Sequence, residues 1–107
     1  MYRATTPEFN LIIPYNVQEV EKFVITLQQK GKTIIEYTNE SREVTFEDRL
    51  IYFQLSQWDT KVFVTRYPIH LQIRLLLSSG RVVASNIVHI DVHNSLNLDG
   101  LYSEENI

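Results

Sequence analysis

The chain contains no cysteine, which excludes a disulfide framework, a thiolate metal site and a cysteine nucleophile together. Among its 107 residues there are only three glycines, Gly31, Gly80 and Gly100. They lie too far apart to build a phosphate-cradling loop or a dinucleotide fingerprint. No apolar run reaches the roughly 20 residues that a membrane-spanning helix needs. The opening segment Met1-Tyr2-Arg3-Ala4-Thr5-Thr6-Pro7 has no apolar core of the signal-peptide kind. Positive charge is scarce as well: ten Lys and Arg against thirteen Asp and Glu leave a net charge of −3. Lys22, Lys30 and Lys32 come nearest to a cluster, and Glu19, Glu21 and Glu36 offset them. Nucleic-acid binders carry a basic face, so neither nucleic acid nor a membrane is an expected partner. Asn39-Glu40-Ser41 fits a glycosylation acceptor, a signal with little meaning where no secretory segment is seen.

What the chain does have is apolar residues at a period of two. Ile69, Leu71, Ile73, Leu75 and Leu77 alternate with His70, Gln72 and Arg74. After Ser78-Ser79-Gly80-Arg81, Val82, Ala84, Asn86, Val88, Ile90 and Val92 hold one face and Ser85, His89, Asp91 and His93 the other. Such alternation marks strands with one wet and one dry face. Upstream, Phe9 to Ile13 reads as a strand closed by Pro14. Gln18 to Gln28 and Thr33 to Thr38 flank the hairpin signal Lys30-Gly31-Lys32. A short strand over Glu43 to Phe46 and another over Leu50 to Leu55 enclose the turn Glu47-Asp48-Arg49. Ser56 to Thr60 has the composition of a tight connection or one helical turn, with Ser56 as its cap. The composition changes at Asn94, where Asn, Ser, Asp, Gly and Glu take over; residues 94–107 are expected to form a tail, loose alone and free to dock on a partner.

Candidate sites are few. His89, Asp91 and His93 lie at i, i+2 and i+4 of one strand and therefore share a face. Pairing Leu77 with Val82 across the turn sets His70 opposite His89. His70, His89, Asp91 and His93 then form a candidate metal set of imidazole and carboxylate ligands, unless they are simply the polar residues of a wet face. Ser85, His89 and Asp91 sit on a single strand without a nucleophile elbow, so no catalytic triad is expected. Trp58, Tyr37 and Tyr52 are candidate binding aromatics, with Tyr37 and Tyr52 lining one sheet face. The plainer alternative has Trp58 plugging one end of the core. No cofactor is implied.

Several short motifs resemble those of small proteins encoded by phages and prophages of Gram-positive bacteria. They read here as Lys30-Gly31-Lys32-Thr33, Leu55-Ser56-Gln57-Trp58-Asp59-Thr60 with Phe63, Leu71-Gln72-Ile73-Arg74, and Gly80-Arg81-Val82-Val83-Ala84-Ser85-Asn86. The resemblance spans Phe9 to Leu101. At the corner this chain departs from the pattern, with Ser56 in place of Thr and Trp58 in place of an acidic residue. The resemblance implies a virion structural or accessory module of a tail, baseplate or head-surface fibre, with no catalytic residues to carry over.

The sequence therefore predicts an all-β protein: a single Ig-like antiparallel β-sandwich of about seven strands over residues 1–93. The expected core is Phe23, Ile25, Leu27, Ile35, Leu50, Leu55, Phe63, Leu71, Ile73, Leu75, Val82, Val88 and Ile90. The expected function is that of a non-enzymatic phage structural module, assembling with itself or a larger virion protein. It would reside in the virion, or in the bacterial cytoplasm before assembly. The alternative is a carbohydrate-binding or adhesion module.

Overall fold

The computed structural model describes residues 1–101, so Tyr102 and the rest of the expected tail lie outside the described residues. In chain order the elements are β1 (Glu8–Ile12), a 3-10 turn (Val17–Glu19), β2 (Val20–Gln29), β3 (Lys32–Thr38), β4 (Val44–Glu47) and β5 (Leu50–Gln54). The short helix α1 (Gln57–Lys61) follows, then β6 (Ile69–Leu77), β7 (Val82–Ala84) and β8 (Val88–Ile90). They build two antiparallel sheets, one ordered β1-β5-β4 and the other β3-β2-β6-β7, with β8 also paired to β6. Because β7 and β8 are two halves of one edge strand, the larger sheet has the order of the G, F, C and C′ strands of a variable-type immunoglobulin domain. The smaller sheet has the order B, E, D. The protein is an Ig-like β-sandwich.

Alternation on each strand decides which side chains meet between the sheets. Phe23, Ile25 and Leu27 of β2 and Ile69, Leu71, Ile73, Leu75 and Leu77 of β6 are buried. Ile51 and Phe53 of β5 face them from the smaller sheet. Rings join the layers: Phe53 stacks on Phe9 at 4.8 Å and lies 5.5 Å from Tyr37, while Phe23 meets Phe46 edge-on at 5.7 Å. Each fully buried side chain of this size stabilises the fold by about 1.5–3 kcal/mol. The Lys30-Gly31 turn joins paired Gln29 and Lys32, and both turn residues take positive φ, 53° and 74°. That is the two-residue hairpin whose twist matches its strands.

Three expected core residues lie outside the core. Leu50 is 40% exposed because β5 buries the opposite phase, Ile51 and Phe53. Val82, 58% exposed, pairs with Leu76 rather than Leu77, so that Val83 opposes buried Leu75. Val88 does oppose buried Leu71 but is 49% exposed, since β8 is an edge with nothing beyond it. Ile35 and Ile90 are only partly buried against the core. The register moves by one residue between Arg74↔Ala84 and Leu71↔Val88. Ser85 sits at this bulge: its N–H donates to the Ile73 carbonyl at 2.9 Å and its hydroxyl accepts from the Ile73 N–H at 3.0 Å.

Two buried polar side chains hold the connections. Thr60 accepts from the Thr5 N–H and donates to the Thr5 carbonyl, both at 3.0 Å, tying the first residues to α1. Gln29, 5% exposed, donates to the carbonyls of Val64 (2.6 Å) and Tyr67 (2.7 Å) and accepts from the Val64 N–H (2.9 Å). One amide thus fastens the loop between α1 and β6. Replacing it with an apolar side chain leaves those three backbone groups without their partner. Gln29→Leu is expected to lower stability by about 2–4 kcal/mol in chemical denaturation; a loss under about 1 kcal/mol would show the loop is held by other means.

Candidate functional site

Two regions of the surface carry the candidate residues. The first is the outer face of the larger sheet. Thr26 and Gln28 of β2, Glu36 of β3 and His70, Gln72 and Arg74 of β6 turn away from the core, opposite in phase to their buried neighbours. They line a shallow polar groove with Thr33 and Ile87. His70 and His89 are direct partners across β6 and β8, and their rings stand 4.5 Å apart between centroids at 63°. Among the described residues no hydrogen bond engages either imidazole.

The rest of the expected metal set does not join them. β8 ends at Ile90, and the chain leaves the ladder to pair with the first residues instead. Tyr2 and His93 bridge in parallel, with rings 5.3 Å apart, and the Met1 ammonium donates to the Asp91 carbonyl at 2.7 Å. His89, Asp91 and His93 therefore do not share one strand face. Among the described residues no group of three His, Asp or Glu is placed to hold a metal ion. Ser85 is likewise bound to backbone, its hydroxyl donating to the Asn86 carbonyl at 3.0 Å.

The aromatic candidates separate too. Tyr37 and Tyr52 belong to different sheets and line no common face. Tyr37 points inward and is 7% exposed. Burial first, then the negative charges of Asp59 and Glu43, raise its phenol from the ordinary 10.0 to about 12. Tyr52 lies on the outer side of the smaller sheet, where its hydroxyl donates to Glu8 Oε1 at 3.1 Å. Its pKa is raised by desolvation and, second, by that bond. Trp58 does not plug the core: it is 47% exposed on α1, with the Lys61 ammonium 4.6 Å from its ring. The three residues form no single stacking platform.

The second region is the pole that α1 occupies. Ser56 accepts from the Asp59 N–H (3.0 Å) and Asp59 Oδ2 accepts from the Ser56 N–H (3.2 Å), a reciprocal cap that starts the helix as expected. Gln57 then acts as one rung of a sheet: it donates to the Leu101 carbonyl (2.6 Å) and accepts from the Leu101 N–H (2.8 Å). This brings Gly100 against the Trp58 ring, where a Cβ would collide. Arg3 donates to the Lys61 carbonyl at 2.7 Å and to Asn94 Oδ1 at 2.9 Å, and Ser95 donates to the Arg3 carbonyl. Residues 94–101 are thus docked on their own chain. Tyr2, Val62, Val64, Leu96 and Leu101 are exposed around this pole. Leu96 and Leu101 are apolar residues interspersed in the segment expected to dock, whereas Val62 and Val64 carry no sequence signal beyond being apolar residues in a connecting segment.

No protein-family model and no curated protein matches the chain. Among solved structures it is similar to the Ig-like domain of mouse leukocyte-associated immunoglobulin-like receptor 1, crystallised as a strand-swapped dimer. The identity is 12%, the match covers 87% of this chain and 84% of that one, and the TM-score is 0.46. The fold assignment rests on the strand order described above. Among the described residues no helix is long and apolar enough to cross a membrane.

Two outcomes follow from this geometry. A phenol whose folded pKa is raised keeps its full contribution below the unfolded value of 10.0 and loses it as pH climbs through about 12. The wild type should therefore lose stability as pH rises across that window, and Tyr37→Phe should flatten the profile; equal slopes in urea titrations of both proteins would refute the assignment. Gly100→Ala should push the tail off Trp58 and speed amide exchange at Leu101 by about tenfold or more, with little change at β2 and β6.

Proposed function

We propose that this chain is a non-enzymatic interaction module that assembles with itself or with a larger virion protein of a phage or prophage. The observation that supports this most is the concentration of exposed apolar side chains at the α1 pole. Trp58 (47% exposed), Val62 (57%), Val64 (49%) and Leu101 (80%) surround the docked segment, with Tyr2 (58%) and Leu96 nearby. Single exposed apolar residues are ordinary, but a group of them on one end of a small domain marks a surface that a protein partner covers. The pole is also well made. A reciprocal cap, the Gln57 rungs and the Thr60 bonds hold its backbone in place before any partner arrives. A preorganised surface loses less entropy on binding. The motifs shared with phage and prophage proteins of Gram-positive bacteria add the virion as the setting, with the cytoplasm as the compartment before assembly.

Mass spectrometry of particles purified after prophage induction in the encoding strain should find this chain at a fixed ratio to the other virion proteins. Its presence only in the lysate would overturn the virion reading. Trp58→Asp combined with Leu101→Asp should reduce incorporation at least about tenfold while moving the unfolding free energy by less than about 1 kcal/mol, as expected of exposed positions. Normal incorporation of that variant would place the interface elsewhere.

A further inference from the structure

We infer that His70 and His89 form a two-imidazole site for a borderline divalent transition-metal ion of the zinc or nickel kind. The site is smaller than the four-residue set suggested by spacing: it keeps the expected pairing of His70 with His89 and adds the ring separation that spacing did not supply. The two histidines are direct cross-strand partners, and their ring centroids are 4.5 Å apart. Two imidazoles on one ion, each through a bond of about 2.0–2.1 Å, hold their centroids about 4.5 Å apart at a right angle and about 5.2 Å apart at the tetrahedral angle. The rings are thus near enough to share one ion after a small opening or rotation.

Three further features favour a ligand over a mere polar pair. The strand beneath His70 is anchored, since Ile69 and Leu71 on either side of it are buried. Its Cα is therefore held by the core, as a preorganised ligand requires. Among the described residues neither imidazole spends a nitrogen on a hydrogen bond, so both retain a lone pair to offer when neutral. The groove beside His70, lined by Gln28, Gln72, Glu36 and the positively charged Arg74, leaves room for water or a partner's side chain to complete the coordination. Imidazole ligands suit zinc, nickel and copper over magnesium or calcium. His93 takes no part because its ring lies against Tyr2.

The test is isothermal titration of the full chain with nickel chloride and with zinc chloride. One ion per chain is expected for the wild type. His70→Gln and His89→Gln should each weaken binding at least about tenfold, because a one-histidine site has lost half its protein ligands, whereas His93→Gln should bind as the wild type does. Ring resonances in the unmutated protein give a readout that no folding defect can imitate: added zinc should shift those of His70 and His89 and leave those of His93. Absence of saturable binding would overturn the inference. So would wild-type affinity in His70→Gln and His89→Gln, or ring shifts confined to His93.

Discussion

The pairing of β2 with β6 sets the geometry of everything else in this molecule. It runs from Val20↔Leu77 to Gln29↔Ile69, with one irregularity between Val20 and Lys22. Along most of that length both strands bury alternate residues: Phe23, Ile25 and Leu27 sit opposite Leu75, Ile73 and Leu71. Slipping either strand by one residue would turn its apolar set to solvent. For three large side chains the loss is about 5–9 kcal/mol, comparable with the whole stability of a domain this size, about 5–15 kcal/mol. A slipped register is therefore not a competing state. The same register fixes the outer face, because each buried residue dictates that its neighbours point away. His70, Gln72 and Arg74 are presented outward by the burial of Ile69, Leu71, Ile73 and Leu75.

This explains which parts of the fold were legible in the sequence. β6 is legible directly, since Ile69, Leu71, Ile73, Leu75 and Leu77 recur at every second position, interrupted in polarity only by Leu76. The Lys30-Gly31 hairpin and the Ser56 cap were legible because each is a local device, complete within a few residues. Phase was harder. In β5 the run Leu50-Ile51-Tyr52-Phe53-Gln54-Leu55 offers apolar residues in both phases. The choice was made by Phe9 and Tyr37, which reach Phe53 from other strands. The common face expected for Tyr37 and Tyr52 fails for the same reason: the direction of Tyr37 is fixed only once β3 is paired with β2.

The corner motif shows what a sequence pattern conceals. Leu55 is buried, Ser56 and Asp59 cap one another, Gln57 holds Leu101 and Thr60 holds Thr5. Two of its six residues, Gln57 and Thr60, thus fasten Leu101 and Thr5 onto α1, while Ser56 and Asp59 start the helix and Leu55 fills the core. Gln57 and Leu101 are 44 positions apart and Thr60 and Thr5 are 55, distances over which no periodicity speaks. Trp58 alone lies half in solvent, with Lys61 on its face and Gly100 at its edge. Its ring therefore serves the docked segment and the helix on one side and meets solvent on the other.

The second edge makes a related point about the last strand. A uniform pairing would have put Val82, Ala84, Val88 and Ile90 all on the dry face. Instead Ser85 inserts a bulge, and the strand changes phase partway along. Its first half turns Val83 inward and leaves Val82 beside Leu76; its second half turns Ile90 inward and sets His89 against His70. The bulge absorbs the one-residue difference between the two halves, so that His89 still meets His70 although Val82 pairs with Leu76. An unbroken edge strand would also present a longer ladder for unintended pairing, a hazard that bulges suppress. A single serine, bonded twice to Ile73, therefore interrupts the open edge while the histidine pairing beyond it is kept.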